Sequence, residues 1–215
     1  MTSDIHSILK EEETTSINPI EQLNWLFCDK KPLPLTFCVT YPDLSVFWNE
    51  CEDPEELIEF VANVYSHGAN YKIIKACFAC VEEAYNRFPY KEQISIASNT
   101  FNSIKSFLKG EIEEEEIEPN EQRYTTFTIE DSIKYLYYLC ISGNFLQEVN
   151  DATVCIGYCI ISLTAYFPKD NKKHIPYSCK NIVKKDLCCI IRKTLSCPTY
   201  QEINLALEVR RNHKE

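Results

Sequence analysis

Glycine is scarce in this sequence, which has 4 glycines among its 215 residues. An all-β protein needs glycine in its many tight turns, so the scarcity argues against that class. Apolar residues recur instead at helical spacing through the middle and the end of the chain. We therefore predict an all-α fold, in which about seven helices form a single compact domain behind an irregular N-terminal segment.

A long apolar run is also missing. The longest apolar stretch, residues 154–167, has about 14 positions, whereas a helix that spans a membrane needs about 20. We interpret this stretch as a buried core helix. The first residues, from Met1 to Glu13, show no basic segment followed by an apolar one, so no secretory signal is indicated. We therefore expect a cytoplasmic protein without a membrane partner.

Motifs for catalysis and phosphate binding are missing as well. The 4 histidines, at positions 6, 67, 174 and 213, form no HExxH or similar pair, and no glycine-rich phosphate loop occurs. Nothing local indicates a Cys–His or Ser–His nucleophile. We therefore predict a protein that is not an enzyme and that needs no cofactor.

Cysteine, in contrast, is abundant, with 12 residues. In a reducing compartment most of these thiols should be buried as small apolar side chains. Cys77-Phe-Ala-Cys80 is the single CxxC, and Cys155 and Cys159 are spaced to share one helix face. If the two helices face each other, these four sulfurs could form a zinc site, which is one alternative for the function.

Charge is divided unevenly along the chain. Residues 1–121 carry 9 basic and 23 acidic side chains, a net charge of −14, and residues 122–215 carry 13 and 9, a net of +4. The acidic residues are densest at 111–118, where six of eight positions are glutamate. An acidic surface repels nucleic acid and attracts basic proteins. Nucleic-acid binding by the basic second half therefore stays an alternative, which its weak positive charge does not favour.

The sequence divides into segments with different patterns. Residues 1–20 are polar and predict a flexible acidic arm, and residues 21–215 predict the helical domain. Prolines at positions 32, 34 and 42 break the stretch up to Trp48 into extended or irregular pieces. The expected order after that is helices over 53–110, an acidic connector over 111–120 and further helices over 128–212.

Capping signals locate several helix ends. Asp53 followed by Pro54 predicts an N-terminus, and Gly110 predicts a C-terminus. Thr199 and Glu202 have the spacing of a capping box that opens the last helix. Further N-caps are expected at Thr128 and, for the apolar helix that ends at residue 167, at Asn150 or Asp151.

Residues 47–118 follow an order that is familiar from other proteins. FWNECEDPEELIEFV is followed by YKIIKACFACVEEAYNRF and then by PYKEQISIASNTFNSIKSFLKGEIEEEEI. Over roughly half of the chain this order resembles the Imm-5-like group of bacterial and phage helical immunity proteins. The matching positions are Trp48, Cys51, Cys77, Cys80, Ala97, Phe107, Gly110, Glu111 and the element from Cys179 to Lys185. The chain departs from the group by lacking an alanine-rich tail and by having Phe107 where tryptophan is usual.

The resemblance implies a stoichiometric inhibitor that neutralises a toxin or a component of a defence system, and it carries over no catalytic residue. Together with the charge, it predicts binding of another protein that is basic. Aromatic anchors would supply binding energy, and acidic residues would speed association. The sequence indicates no oligomeric state. The expected contact residues are Asp53, Glu55, Glu56, Glu59, Glu111, Glu113, Glu114, Glu115, Glu116 and Glu118.

Overall fold

The computed structural model describes residues 44–65, 70–119, 125–166 and 177–212. The chain divides into two compact units, residues 1–47 and 48–215. The packing discussed below is that of the second unit. The predicted arm at 1–20 lies outside the described residues.

The described residues form helices and no strands, which confirms the predicted all-α class. The eight α-helices of this part of the chain are α1 (Leu44–Glu50), α2 (Pro54–Tyr65), α3 (Asn70–Arg87), α4 (Ser95–Leu108), α5 (Thr128–Ile141), α6 (Phe145–Ala165), α7 (Tyr177–Thr194) and α8 (Tyr200–Asn212). Two short 3₁₀ turns, Lys91–Ile94 and Glu114–Glu116, precede and follow α4. No helix in the described ranges is long and apolar enough to cross a membrane.

Several predicted caps are confirmed. Asp53 Oδ1 accepts a hydrogen bond from the Glu55 amide at 3.1 Å, which fixes the start of α2. Thr199 and Glu202 form the reciprocal capping box of α8, because each side chain accepts from the other residue's amide. Gly110 has a φ of 71°, a left-handed conformation that glycine adopts without strain and that ends α4.

Three expectations about helix boundaries are wrong. Residues 44–48 were expected to be extended or irregular but belong to α1. Thr128 was expected to be an N-cap but is the first residue of α5, and Phe127 occupies the cap position. The apolar helix α6 begins at Phe145 rather than near Asn150, because Asn144 Oδ1 accepts from the amides of Leu146 and Gln147 at 3.0 and 3.4 Å. Asparagine is favoured both in turns and at helix N-caps, so the sequence alone did not decide whether Asn144 belongs to a turn or begins a helix.

The apolar helix α6 lies at the centre of the bundle and packs against α2, α3, α5 and α7, with α5 as its main neighbour. Its inner side carries Cys155, Ile156, Cys159 and Leu163, all at most 2% exposed. The inner side of α6 fits the prediction of a buried core helix at 154–167, whereas Ile161 on the outer side is 52% exposed. The inner side is mostly apolar but also holds the buried Glu148 and Asp151, and the outer side carries no charge.

Candidate functional site

The acidic segment, residues 111–118, is held in a fixed conformation at the end of α4. The amides of Gly110 and Glu111 donate to the carbonyls of Phe107 and Ser106 at 2.9 and 3.0 Å, which is the Schellman arrangement. The segment then turns back, so that Ile117 is only 5% exposed and the Glu118 amide donates to Ser103 Oγ at 3.0 Å. Its backbone is therefore anchored at both ends.

The carboxylates of the acidic segment face solvent. Glu113 to Glu116 are all exposed, and the Glu113 amide donates to Glu116 Oε2 at 2.8 Å, which stabilises the 3₁₀ turn. A hydrogen bond with the Ser106 side chain and the charge of Lys109 hold the pKa of Glu111 below its usual range. Lys109 is the cation that pairs with Glu111, at 3.4 Å. The segment thus presents closely spaced, exposed glutamates on a backbone that is held in one conformation.

The acidic residues at the start of α2 have a different environment, because the basic helix α7 lies against them. Lys184 forms an ion pair with Asp53, and its Nζ lies 3.9 Å from Glu55 Oε2. Lys185 pairs with Glu52 at 2.8 Å. Burial lowers the pKa of Lys184, but the hydrogen bond and charge of Asp53 outweigh it and raise the pKa above its ordinary value. Part of the acidic half is therefore neutralised by the chain's own basic half.

The remaining predicted contact residues on α2 are Glu56 and Glu59. Glu56 is exposed and Glu59 is half-buried. Burial and the charge of Asp53 raise the pKa of Glu56. The ten predicted acidic residues therefore belong to two groups, one at the start of α2 near Lys184 and one in the segment that follows α4, with different amounts of uncompensated charge.

The basic residues of α7 serve the fold as well. Besides the two lysines above, Arg192 donates to the backbone carbonyls of Trp48 and Cys51. These contacts hold the chain between α1 and α2 against α7. Because three cations of α7 are engaged in this way, they contribute little to a nucleic-acid surface. Reversing the charge of Lys184 and Lys185 would break these ion pairs, so the exposed Lys180 and Lys193 are better positions for testing that alternative.

The predicted cysteine group does come together, because α3 packs against α6. Cys77, Cys80, Cys155 and Cys159 are each fully buried, and Cys77 and Cys159 are neighbours of the Cys155 thiol. Cys155 also donates to the Ser132 carbonyl at 3.4 Å. Among the described residues, however, no three His, Cys, Asp or Glu side chains are arranged to hold a metal ion. The zinc site offered as an alternative is not formed by this part of the chain.

The thiols act as small apolar side chains. Seven of the ten described cysteines are buried, and all ten are free. Burial raises the pKa of Cys51 to about 11, that of Cys188 to about 12, and those of Cys80, Cys140 and Cys155 as well. A thiol that stays protonated at neutral pH is a poor nucleophile and a poor metal ligand.

Two buried carboxylates, Glu148 and Asp151 on α6, had no role in the sequence predictions except that Asp151 was a possible cap. They are 4% and 0% exposed, and within the described residues Glu148 Oε2 and Asp151 Oδ2 have no hydrogen-bond partner. Asp151 Oδ1 accepts from Gln147 Nε2 at 2.9 Å. Burial raises the pKa of both carboxyl groups. Their charged forms therefore destabilise the native state at neutral pH.

Replacing Asp151 by asparagine is expected to stabilise the protein by about 1 kcal/mol at neutral pH, or roughly 2–4 °C in Tm. The native pKa is raised above that of the unfolded chain, so the native state binds the proton more tightly and the wild type gains stability as pH falls. Thermal unfolding should therefore show the largest difference near pH 7 and a smaller one in mild acid. A variant less stable than wild type at both pH values would contradict this reading.

A second feature was missed in the sequence, namely an outer side of α6 that carries no charge and that tyrosines of α5 adjoin. From Tyr135 to Phe167 the sequence has two charged residues, Glu148 and Asp151, and both are buried. The apolar run at 154–167 was visible in the sequence and was interpreted as a buried core helix. Exposure of one side could be read only from the packed structure.

No family model, curated protein or solved structure matches this chain. The resemblance to the Imm-5-like group therefore stays a prediction that rests on the residues quoted above. What can be proposed about function rests on the geometry of the acidic segment and its neighbours.

Proposed function

We propose that this is a non-enzymatic protein that binds and neutralises another protein, with the acidic segment as the contact surface. The observation that supports this most directly is the pinned backbone of residues 111–118, whose glutamates face solvent. Like charges placed side by side repel one another and destabilise the segment that carries them. A basic partner would relieve that repulsion.

The fixed conformation matters for affinity as well as for charge. A flexible acidic loop would lose conformational entropy on binding, and this loss would weaken its affinity. A loop that folding already holds in one conformation loses little more on binding. Ile117 and the Ser103 contact hold the end of the segment in place, and the Glu116 carboxylate accepts from the Glu113 amide within it. The carboxylates of Glu113 to Glu116 stay exposed to solvent and can steer a basic protein during its approach, which raises the association rate.

The ion pairs of α7 leave fewer of the predicted acidic residues available for a partner. Asp53 and Glu55 are already close to Lys184, so a partner would have to compete with a cation of the chain itself. The acidic segment has Lys109 at one end, next to Glu111. We therefore place the main contact at Glu113 to Glu116, with Glu111 and Glu118 at its two ends.

The kind of partner, a toxin or a component of a defence system, follows from the family resemblance alone. It is tested most cheaply by the neighbouring genes, because a cognate toxin is expected beside its inhibitor. A pull-down from native cells, followed by mass spectrometry, would supply the partner for kinetic work. Nucleic acid that co-purifies and is lost on reversing Lys180 and Lys193 would support the alternative.

Replacing Glu113, Glu114, Glu115 and Glu116 together by glutamine should slow association with the captured partner by about tenfold at low salt. The salt dependence of the association rate should flatten, because fewer charges remain to be screened. Stopped-flow or surface-plasmon measurements at several salt concentrations would show both effects.

A matched control has the same change in charge at scattered exposed positions, namely Glu50→Gln, Glu92→Gln, Asp186→Asn and Glu208→Gln. It should leave the association rate within about twofold of the wild type. Equal slowing by both variants would show that net charge alone matters and would count against a contact at the acidic segment. An unchanged rate in the first variant would do the same.

A further inference from the structure

The outer side of α6 is unusual for the surface of a highly charged chain. Eleven of its side-chain positions between residues 146 and 165 are exposed or half-buried, and none of them is charged. Charged residues make up 25% of the whole chain, and solvated surfaces commonly carry about 25–35%. Chance would place about three charges among eleven such positions. The absence of charge on this side therefore needs a physical reason.

Apolar and aromatic side chains form a stripe along this outer side, beside uncharged polar residues such as Gln147, Thr153 and Thr164. Leu146 is 69% exposed and Ile161 52% exposed, and Asn150, Val154 and Tyr158 continue the same stripe at helical spacing. Because Tyr158 follows Val154 by four positions and precedes Ile161 by three, these three side chains lie on one face. The stripe runs along most of a helix that is about 30 Å long.

Tyrosines of α5 widen the stripe. The Tyr135 ring stacks on Tyr158 with centroids 5.7 Å apart, and Tyr138 meets Tyr135 edge to face at 5.9 Å. We call the surface formed by Tyr135, Tyr138, Val154, Tyr158 and Ile161 the α5–α6 face. Depletion of charge together with enrichment of tyrosine is the composition of a protein–protein interface core rather than of a solvated surface.

Charges stand at the borders of the α5–α6 face. On one side, Lys134 Nζ lies 5.9 Å from the centroid of the Tyr138 ring. On the other, Glu55 lies against Gly157, and Lys184 lies close to that carboxylate. A charged rim around an uncharged centre is the usual arrangement of an interface.

We propose that the α5–α6 face binds the same face of a second copy of this chain, across a two-fold axis. Two copies each carry a net charge of −10 and repel each other through their acidic surfaces. Contact through the α5–α6 face brings uncharged surface against uncharged surface, and a two-fold contact matches a patch with itself. Two packed stripes of this length bury on the order of 1,000 Å², the lower limit for a specific interface. This inference does not depend on the function proposed for the acidic segment.

Sedimentation equilibrium of the full chain at micromolar concentrations tests the proposal. The wild type should be dimeric, and Ile161→Glu should be monomeric, because each copy would then bury an unpaired carboxylate in the contact surface. Ile96→Glu is the matched control, since Ile96 is 48% exposed on α4 and receives the same charge; it should remain dimeric. Leu146→Glu, at the other end of the stripe, should weaken the dimer, and circular dichroism would verify that all variants are folded.

Salt gives an independent readout. Screening of the like net charges should tighten the dimer several-fold as salt is added, whereas binding of a basic partner to the acidic segment should weaken. A wild type that is monomeric at all these concentrations overturns the proposal, also if the face then proves to bind a different protein. Dimers that persist in Ile161→Glu, or that are lost equally in Ile96→Glu, overturn it too.

Discussion

Replacing Phe88 by alanine is expected to cost the protein about 3–5 kcal/mol in the free energy of unfolding. Phe88 is 2% exposed and follows the last turn of α3. Its ring meets those of Tyr90, Phe127 and Tyr166 edge to face, at centroid distances of 5.9, 5.1 and 5.2 Å. The substitution removes the ring that joins the end of α3 to the start of α5 and the end of α6, and it leaves a cavity among them.

Urea unfolding followed by far-UV circular dichroism would measure this loss. Tyr90→Ala is a useful comparison, because Tyr90 belongs to the same aromatic group but is 45% exposed. It should cost about 1 kcal/mol. If Phe88→Ala cost no more than Tyr90→Ala, the three rings would not be packed around Phe88 as described.

Replacing Asp53 by alanine is expected to cost about 2 kcal/mol, because one side chain serves two purposes. Its Oδ1 caps α2 by accepting from the Glu55 amide, and its Oδ2 pairs with Lys184. The Lys184 side chain is 19% exposed. Loss of Asp53 therefore leaves a helix end uncapped and a largely buried ammonium group without its nearest partner.

Asp53→Asn separates the two contributions in the same unfolding measurement. Asparagine keeps an oxygen for the cap and removes the charge, so it should cost about half as much as alanine. A double variant that also replaces Lys184 by methionine should recover part of the loss, because no unpaired ammonium group remains. Equal losses for asparagine and alanine would mean that the cap contributes nothing, and full retention of stability in both would rule out either role.

Local signals predicted the helices well, and the reason is that their causes are local. Asp53, Gly110 and the Thr199–Glu202 pair each act within a few residues of their own helix end. Asn144 is the exception, because asparagine is common both in turns and at helix N-caps. Whether it begins a helix depends on whether the residues that follow can pack as a helix against α3 and α5.

Cysteine spacing indicated which thiols could lie close together, but it did not indicate whether they bind a metal. The intervals of the CxxC in α3 and of the Cys155–Cys159 pair correctly indicated that thiols could share helix faces. The helices do bring Cys77, Cys155 and Cys159 together. Whether such thiols bind a metal depends on geometry and solvation, and burial raises the pKa of Cys155, which favours its protonated form.

By itself, the sequence determined the helical class, most helix ends and the concentration of charge at 111–118, since periodicity, capping and composition are properties of short segments. Only the tertiary structure decided which acidic residues remain available. It placed Lys184 beside Asp53 and Glu55, and it left the glutamates of the acidic segment facing solvent. It also left one side of the apolar helix α6 exposed to solvent. Each of these outcomes depends on contacts between residues far apart in the chain, which no local pattern encodes.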